Sequence, residues 1–302
     1  MFPFFNLYEM EHSFGHYQKW CEPLKKLDTL VYLEEDSDGK AQILKYYKPN
    51  KRIFINKIKQ LQYFLAFLQN EKQLNVPQYL CEKIELRQHE NEPRYFVPLT
   101  YIKGKLLKKY LIVSAAMIGE KAAKLHNAAA DFDKKIRTHH INQMLVSKIK
   151  NLILRSAELN AKQKKILKKK CLAIQNVMTL LGKNKEHYGL IHSDLHRDNW
   201  IFDKNEAHPI DFDELAYGHF LTDIAIVLHD FGTDKPKLNA KFLEYYHSNR
   251  PLPENYEALM LDFQYIAPLL YLNWFYAKGN TSVREDEKIK VVAMKNLMLL
   301  TA

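Results

Sequence analysis

Between Gly189 and Asp223 the chain concentrates residues that could do chemistry. The stretch opens G-L-I-H-S-D-L-H-R-D-N-W-I-F and, after D-K-N-E, resumes A-H-P-I-D-F-D-E-L-A-Y-G-H-F-L-T-D-I-A. It supplies His192 and Asp194, an amide at Asn199, and a carboxylate pair at Asp211 and Asp213. A carboxylate placed like Asp194 can orient or deprotonate a hydroxyl. An amide oxygen and a second carboxylate, Asn199 and Asp211, can hold Mg2+ on a nucleotide's phosphates. The spacing reads as an apolar approach (Leu190, Ile191), a polar loop, a strand at Trp200 to Phe202, a turn at Asp203 to Glu206, and a return strand ending on Asp211. Any one of these polar residues alone is ordinary in an Asx turn or helix cap. All three in this order point to phosphoryl transfer.

H-x-D-x-x-x-x-N followed by I-D-F-D resembles the aminoglycoside phosphotransferase and choline kinase superfamily, and the resemblance extends more weakly over most of the chain. It implies an α+β, protein-kinase-like two-lobe fold. Residues 1–100 would form a small antiparallel-sheet lobe for the nucleotide, and residues 101–302 a larger, mostly helical lobe for catalysis and the acceptor. The implied reaction moves the γ-phosphate of ATP, with Mg2+, to a hydroxyl of a small molecule. The implied roles are Asp194 as catalytic base, Asn199 and Asp211 as metal ligands, and Asp223 as a brace behind the loop. Lys45, in I-L-K-Y-Y, would reach the ATP phosphates, and the segment with Tyr101 and Ile102 would bind adenine through its backbone. His192 supports the loop, and His196 could touch the transferred phosphate. Asp213 stays open between a second metal contact, a brace and an acceptor contact. Ser193 stands where many members carry Gly, which suggests that the backbone there does not need φ > 0. Two other departures touch the nucleotide lobe. No G-x-G-x-x-G is present, so the phosphate-covering turn falls near Leu27 to Leu30. The helix glutamate that pairs with the strand lysine is replaced by Gln60, or alternatively Gln62.

The elements that must position these groups are legible in outline. Thr29 to Tyr47 reads as a hairpin around Asp36-Ser37-Asp38-Gly39. Phe54, Ile58, Leu61, Leu65 and Leu68 make the apolar stripe of a helix over 53–70. Tyr79 to Leu86 and Arg94 to Leu99 read as two more strands. Ser114 is the expected N-cap of a helix running to Asp131, with His126 as a packing residue. Met144 to Leu181 reads as two helices joined near Asn160, and 237–302 as helical and aromatic. The aromatic residues of 1–27 are expected to pack on the first lobe.

The chain has 302 residues, 47% of them hydrophobic, with a formal net charge of +10, ordinary for a globular protein apart from the charge. The lysine run of 148–170 lies at helical spacing without interleaved aromatics, so it reads as a solvated face, and nucleic acid is not an expected partner. Cys21, Cys81 and Cys171 lack metal-ligand spacing and read as free thiols. With no basic leader and no apolar run of spanning length, a cytoplasmic protein without a membrane partner is expected. Oligomeric state is left open. Two alternatives stand beside the small-molecule kinase: a stress-type protein Ser/Thr kinase, and a catalytically weak nucleotide-binding interaction protein.

Overall fold

The computed structural model describes residues 18–19, 29–35, 38–49, 52–81, 84–89, 91–278 and 286–302. The aromatic residues of 1–27, Cys21, the turn residues Asp36 and Ser37, and Leu27 and Asp28 of the expected phosphate turn lie outside the described residues.

The first part is a five-stranded antiparallel sheet in the order β1-β2-β3-β5-β4. Its strands are β1 (Gln18–Lys19), β2 (Thr29–Glu35), β3 (Ala41–Tyr47), β4 (Glu85–His89) and β5 (Glu92–Thr100). Strand β3 is central. Its Lys45 pairs with Val31 on one side and Val97 on the other, so neighbours on both flanks fix its direction. The expected strand at Tyr79 to Leu86 is displaced towards β4. Tyr79 makes only an isolated bridge to Leu99. Leu80 donates to the Pro98 carbonyl at 2.9 Å, but Pro98 has no N–H to give back, and the pairing stops there.

Helix α1 (Arg52–Asn70) ties this sheet to the rest. Ile58 packs with Tyr47, Val97 and Leu99 under the sheet. Leu61, Phe64, Leu65 and Leu68, further along the same helix, belong to the main core of the helical part. Burying a side chain such as Phe64, which is 0% exposed, contributes about 1.5–3 kcal/mol. The helix therefore belongs energetically to both parts.

The helical part contains α2 (Ile112–Asp131), α3 (Gln143–Ser156), α4 (Ala161–Leu181), α5 (Phe220–Phe231), α6 (Pro236–Asn249), α7 (Tyr256–Phe263), α8 (Ile266–Asn273) and α9 (Glu287–Thr301). Between α4 and α5 lie two short antiparallel pairs. Strand β6 (Tyr188–Ile191) pairs with β9 (Ala216–His219), and β7 (Trp200–Phe202) with β8 (Ala207–Pro209).

The two helices meet near Asn160 as expected, and Asn160 is the cap of α4. Its side chain accepts from the Gln163 amide at 2.9 Å, and Gln163 answers the Asn160 amide at 3.0 Å. Ser114 is not the cap of α2. The helix begins one turn earlier after Leu111, and Ser114 Oγ reaches back to the Leu111 backbone at 2.8 Å. Lys162, Lys164, Lys165, Lys168 and Lys169 are exposed, as a solvated face requires. No described helix is long and apolar enough to cross a membrane.

Candidate active site

The loop leaving β6 is held from behind by one carboxylate. Asp223, on α5 and 0% exposed, accepts from the His192 amide at 2.9 Å and from the Ser193 amide at 2.7 Å. It also meets His126 Nε2 at 3.0 Å, and His126 Nδ1 meets the Tyr246 hydroxyl at 2.7 Å. Burial lowers the His126 pKa against the opposing pull of Asp223, which keeps the imidazole neutral and able to donate on one side and accept on the other. His126 is thus more than packing: it carries the clamp from α5 through α2 to α6.

Ser193 has φ +62°, contrary to the expectation drawn from the missing glycine. The left-handed turn is imposed by Asp223, which draws two successive amides onto one carboxylate, and the serine Oγ anchors on the Glu214 carbonyl. His192 Nε2 donates to the Ile210 carbonyl at 2.9 Å, tying the loop to the strand that returns to Asp211.

Asp194 and Asn199 meet directly. Asn199 Nδ2 donates to the Asp194 carbonyl at 2.8 Å and to its Oδ2 at 2.9 Å. That orientation turns the other end of the amide, the acceptor oxygen, away from Asp194. His196 Nε2 lies 3.5 Å from Asp194 Oδ2. Burial alone would lower the His196 pKa, but the carboxylates of Asp194, Asp230 and Asp198 together outweigh it and raise it. The Arg197 amide donates to Asp230 at 2.7 Å, and the Tyr110 hydroxyl donates to the same oxygen.

Asp211 and Asp213 come in from the other side. Asp211 has φ +62° and ψ +63° and opens a 3-10 turn over Phe212–Glu214. Lys45, 7% exposed, lies 2.6 Å from Asp211 Oδ1 and 3.1 Å from Asp213 Oδ2. Burial disfavours the ammonium, yet the two carboxylates together raise its pKa above the ordinary lysine value. Lys45 lowers the Asp211 pKa in spite of burial. Burial prevails at Asp213, whose pKa is raised.

Tyr47, two residues along β3 and so on the same sheet face as Lys45, places its hydroxyl 3.0 Å from both Asp213 oxygens. Lys57 of α1 donates to the Asp213 carbonyl. Gln60 is not the partner of Lys45. Its Oε1 accepts from the Arg137 amide, because the helix turns that residue towards the 132–139 segment. Gln62 donates to the Cys81 carbonyl at 2.8 Å.

Tyr101 and Ile102 follow directly on β5. Beyond them Lys105 exchanges two backbone hydrogen bonds of 2.8 Å with Phe202. Gly104 lets the chain approach this closely, since a Cβ there would collide with Ile201 and the Phe202 backbone. The segment after the sheet is thereby stitched to the strand that follows Asn199.

The site residues form one network of two groups, Asp194 with Asn199 and His196, and Lys45 with Asp211 and Asp213. The groups are linked through the Ile210 backbone, which donates to the Asn199 carbonyl and accepts from His192, itself held by Asp223. Gln60 is outside it. Tyr47 and Lys57 belong to it and escaped the sequence reading. The Lys45–Tyr47 alternation could have revealed the tyrosine, whereas Lys57 carries no local signal. Asn199 and Asp211 are hard oxygen donors suited to Mg2+. Among the described residues no cluster of three or more His, Cys, Asp or Glu side chains makes a self-sufficient cage.

Residues 21–260 match the family described as the phosphotransferase enzyme family. The chain belongs to that family. Amicoumacin kinase of Bacillus subtilis (strain 168) is 36% identical over 58 residues, covering 19% of this chain and only 17% of that protein. Two solved structures of family-like kinases share the fold over nearly the full length. An amicoumacin kinase in complex with AMP-PNP, Ca2+ and Ami has 16% identity and a TM-score of 0.72, covering 95% of this chain and 89% of its own. A microcompartment-associated aminopropanol kinase has 18% identity and a TM-score of 0.73, covering 94% and 91%. The phosphotransferase fold expected from the motif, an antiparallel sheet followed by a helical body, is the fold observed.

Proposed function

We propose that this phosphotransferase transfers the γ-phosphate of ATP to a hydroxyl of a small-molecule acceptor, with Mg2+ as cofactor. The observation that carries the reading is the meeting of Lys45 with Asp211, 166 residues apart in sequence, beside the Asp194–Asn199 pair. The Ile210 amide, next to Asp211, donates to the Asn199 carbonyl at 3.0 Å, so the sheet's cation and the helical part's base are tied through one short backbone link, and both are needed for phosphoryl transfer. The kinases named above, one of amicoumacin, in complex with AMP-PNP and Ca2+, and one of aminopropanol, support a nucleotide and a small molecule as the ligands here.

In this reading residues 1–100 receive the nucleotide, with adenine against the Tyr101–Ile102 backbone, and residues 101–302 supply the base and the acceptor site. Asp194, steadied by Asn199 Nδ2 on one oxygen, orients the acceptor hydroxyl and takes its proton. Lys45 places a fixed positive charge on the phosphates. The oxygens of Asn199 and Asp211 would hold Mg2+, which draws charge from the phosphate oxygens. Two protein donors suffice, since Mg2+ in such sites takes one or two carboxylates and completes its shell from phosphate and water. Asp223 holds the His192–Ser193 backbone so that Asp194 projects correctly. His196, 3.5 Å from Asp194 Oδ2, is in this reading the side chain that touches the transferred phosphate.

The test is ADP release with Mg2+ across a panel of amino alcohols, aminoglycosides and casein-like proteins. Asp194→Ala and Asp211→Ala should each lose at least about 10²-fold in turnover. Lys45→Ala should chiefly raise the KM for ATP. A wild-type protein that neither binds nor turns over ATP with Mg2+ would end the kinase reading, and phosphorylation of casein alone would move the acceptor to protein.

A further inference from the structure

The expected carboxylate partner of Lys45 on α1 is missing, and something else must hold the ammonium while the nucleotide binds. We propose that Asp213 is the positioning residue that anchors Lys45, and that Tyr47 and Lys57 in turn fix Asp213. This rests on the kinase reading for its consequence in turnover, but the anchoring itself is a property of the ligand-free protein.

Two carboxylates touch Lys45, and they are not equivalent. Asp211 makes the shorter contact, 2.6 Å against 3.1 Å, yet its side chain is 41% exposed and that of Asp213 only 29%. The more exposed carboxylate is the one able to exchange Lys45 for an incoming cation. Asp213 is the one held from three directions. The Tyr47 hydroxyl sits 3.0 Å from each of its oxygens, Lys45 takes Oδ2, and Lys57 reaches its backbone carbonyl from α1. The last contact fixes the 3-10 turn Phe212–Glu214 as well as the side chain.

Polarity is therefore exchanged between two elements. Where the resemblance leads one to expect an acid on α1 facing a lysine, α1 supplies a cation, Lys57, and the acid comes from the turn after Asp211. An acidic residue at position 60 would have no role at Lys45, because Gln60 is turned to the Arg137 amide. Docking of α1 against the Asp213 turn then couples the helix to Lys45 through two bonds instead of one. The same three contacts argue against Asp213 as a metal ligand or acceptor contact, since its two oxygens are already shared between Tyr47 and Lys45.

The experiment has two arms. In the ligand-free protein, the rate of Lys45 acetylation by a water-soluble reagent is followed by mass spectrometry. Asp213→Asn should raise that rate by about threefold or more, because an ammonium that loses one of its two carboxylate contacts leaves its buried position more often and meets the reagent. Asp213→Glu should restore part of the protection. In the enzymatic arm, Asp213→Asn should raise the KM for ATP roughly tenfold while kcat falls less, and Tyr47→Phe and Lys57→Met should shift KM the same way by a few-fold. The Mg2+ concentration for half-maximal rate should stay put. In a Lys45→Ala background Asp213→Asn should cost almost nothing further, since it acts through the lysine.

Unchanged labelling of Lys45 overturns the anchoring even if the protein is a kinase. A shifted Mg2+ dependence, a raised acceptor KM, or full additivity with Lys45→Ala overturns it in favour of a metal or acceptor role. Altered labelling in a protein without ATP turnover leaves the anchor standing and removes the kinase reading instead.

Discussion

Replacing Asp223 by Asn tests whether the loop geometry is imposed from behind. The carboxylate receives three donors, the His192 amide at 2.9 Å, the Ser193 amide at 2.7 Å and His126 Nε2 at 3.0 Å, and it is 0% exposed. An amide side chain offers one accepting oxygen and one donating nitrogen. If its oxygen takes the place of Oδ2, the Ser193 N–H faces another N–H. If it takes the place of Oδ1, the His192 N–H is the one stranded. His126 can shift its proton to Nδ1 and donate to Tyr246, so the histidine can adapt and the backbone cannot. One buried N–H left unpaired costs about 1–3 kcal/mol. The surviving bonds lose their charge assistance, roughly another 1 kcal/mol together, and part of this is offset because no charge is buried. The expected loss is about 2 kcal/mol of unfolding free energy in urea at pH 7. Ser193 at φ +62° then loses what holds it, so kcat for ADP release should fall at least about tenfold. Adding Ser193→Gly should recover about 1 kcal/mol in the Asn background, because glycine enters this region at no steric cost. The same change in the native background should gain less, since the Oγ bond to Glu214 goes with it. An Asp223→Asn protein within about 0.5 kcal/mol of the parent would refute the clamp, because surface-like changes fall in that range.

Gly119→Ala should destabilise the crossing of α2 and α6 by about 1–3 kcal/mol in the same denaturation assay, because the added methyl meets the Phe242 carbonyl, a backbone atom that cannot rotate away. Acidification should destabilise the fold in part through His126: burial lowers its folded pKa below 6.5, so its contribution is complete above pH 6.5 and is lost as pH falls through the folded value. The drop in urea midpoint between pH 7 and pH 5 should be smaller in His126→Gln, and an equal drop would assign it to other groups. At the alkaline end, burial pushes the Cys171 thiol from 9.0 up to about 11, slightly opposed by Lys150, so the folded state keeps a proton that the unfolded state loses. Stability should fall by up to about 2–3 kcal/mol between pH 9 and pH 11, and Cys171→Val should flatten that part of the slope.

What could be read from the sequence was whatever is decided within a few residues. The break between two helices near Asn160, the apolar stripe of α1 and the hairpin of β2 and β3 follow from local spacing, and each formed where that spacing put it. So did the grouping of Asp194 with Asn199, five residues apart and joined by their own hydrogen bond. The Ser114 cap was misplaced by a single local turn, whereas three other misreadings share a cause. Ser193 adopts φ +62° because a carboxylate 30 residues later gathers its amide, a force no neighbour in sequence announces. Pro98 stops the pairing at Leu80 from across the sheet. Gln60 was matched to Lys45 by its place on a helix, but the face it shows is set by how α1 packs on the helical core through Leu61, Phe64 and Leu65, and that packing turns it to Arg137.

The same packing brings Lys57 onto the Asp213 turn. A motif thus names the side chains that meet the reacting groups, because those must keep their chemistry and spacing. The groups that hold them need only arrive with compensating charge, from any element that packs close enough. For Lys45 the compensating acid arrives from the turn that also carries Asp211, so the lysine anchor and the candidate metal ligand sit two residues apart on one 3-10 turn. Moving that turn would then move both, which makes the dock of α1 upon it the structural variable that sets the nucleotide end of the site.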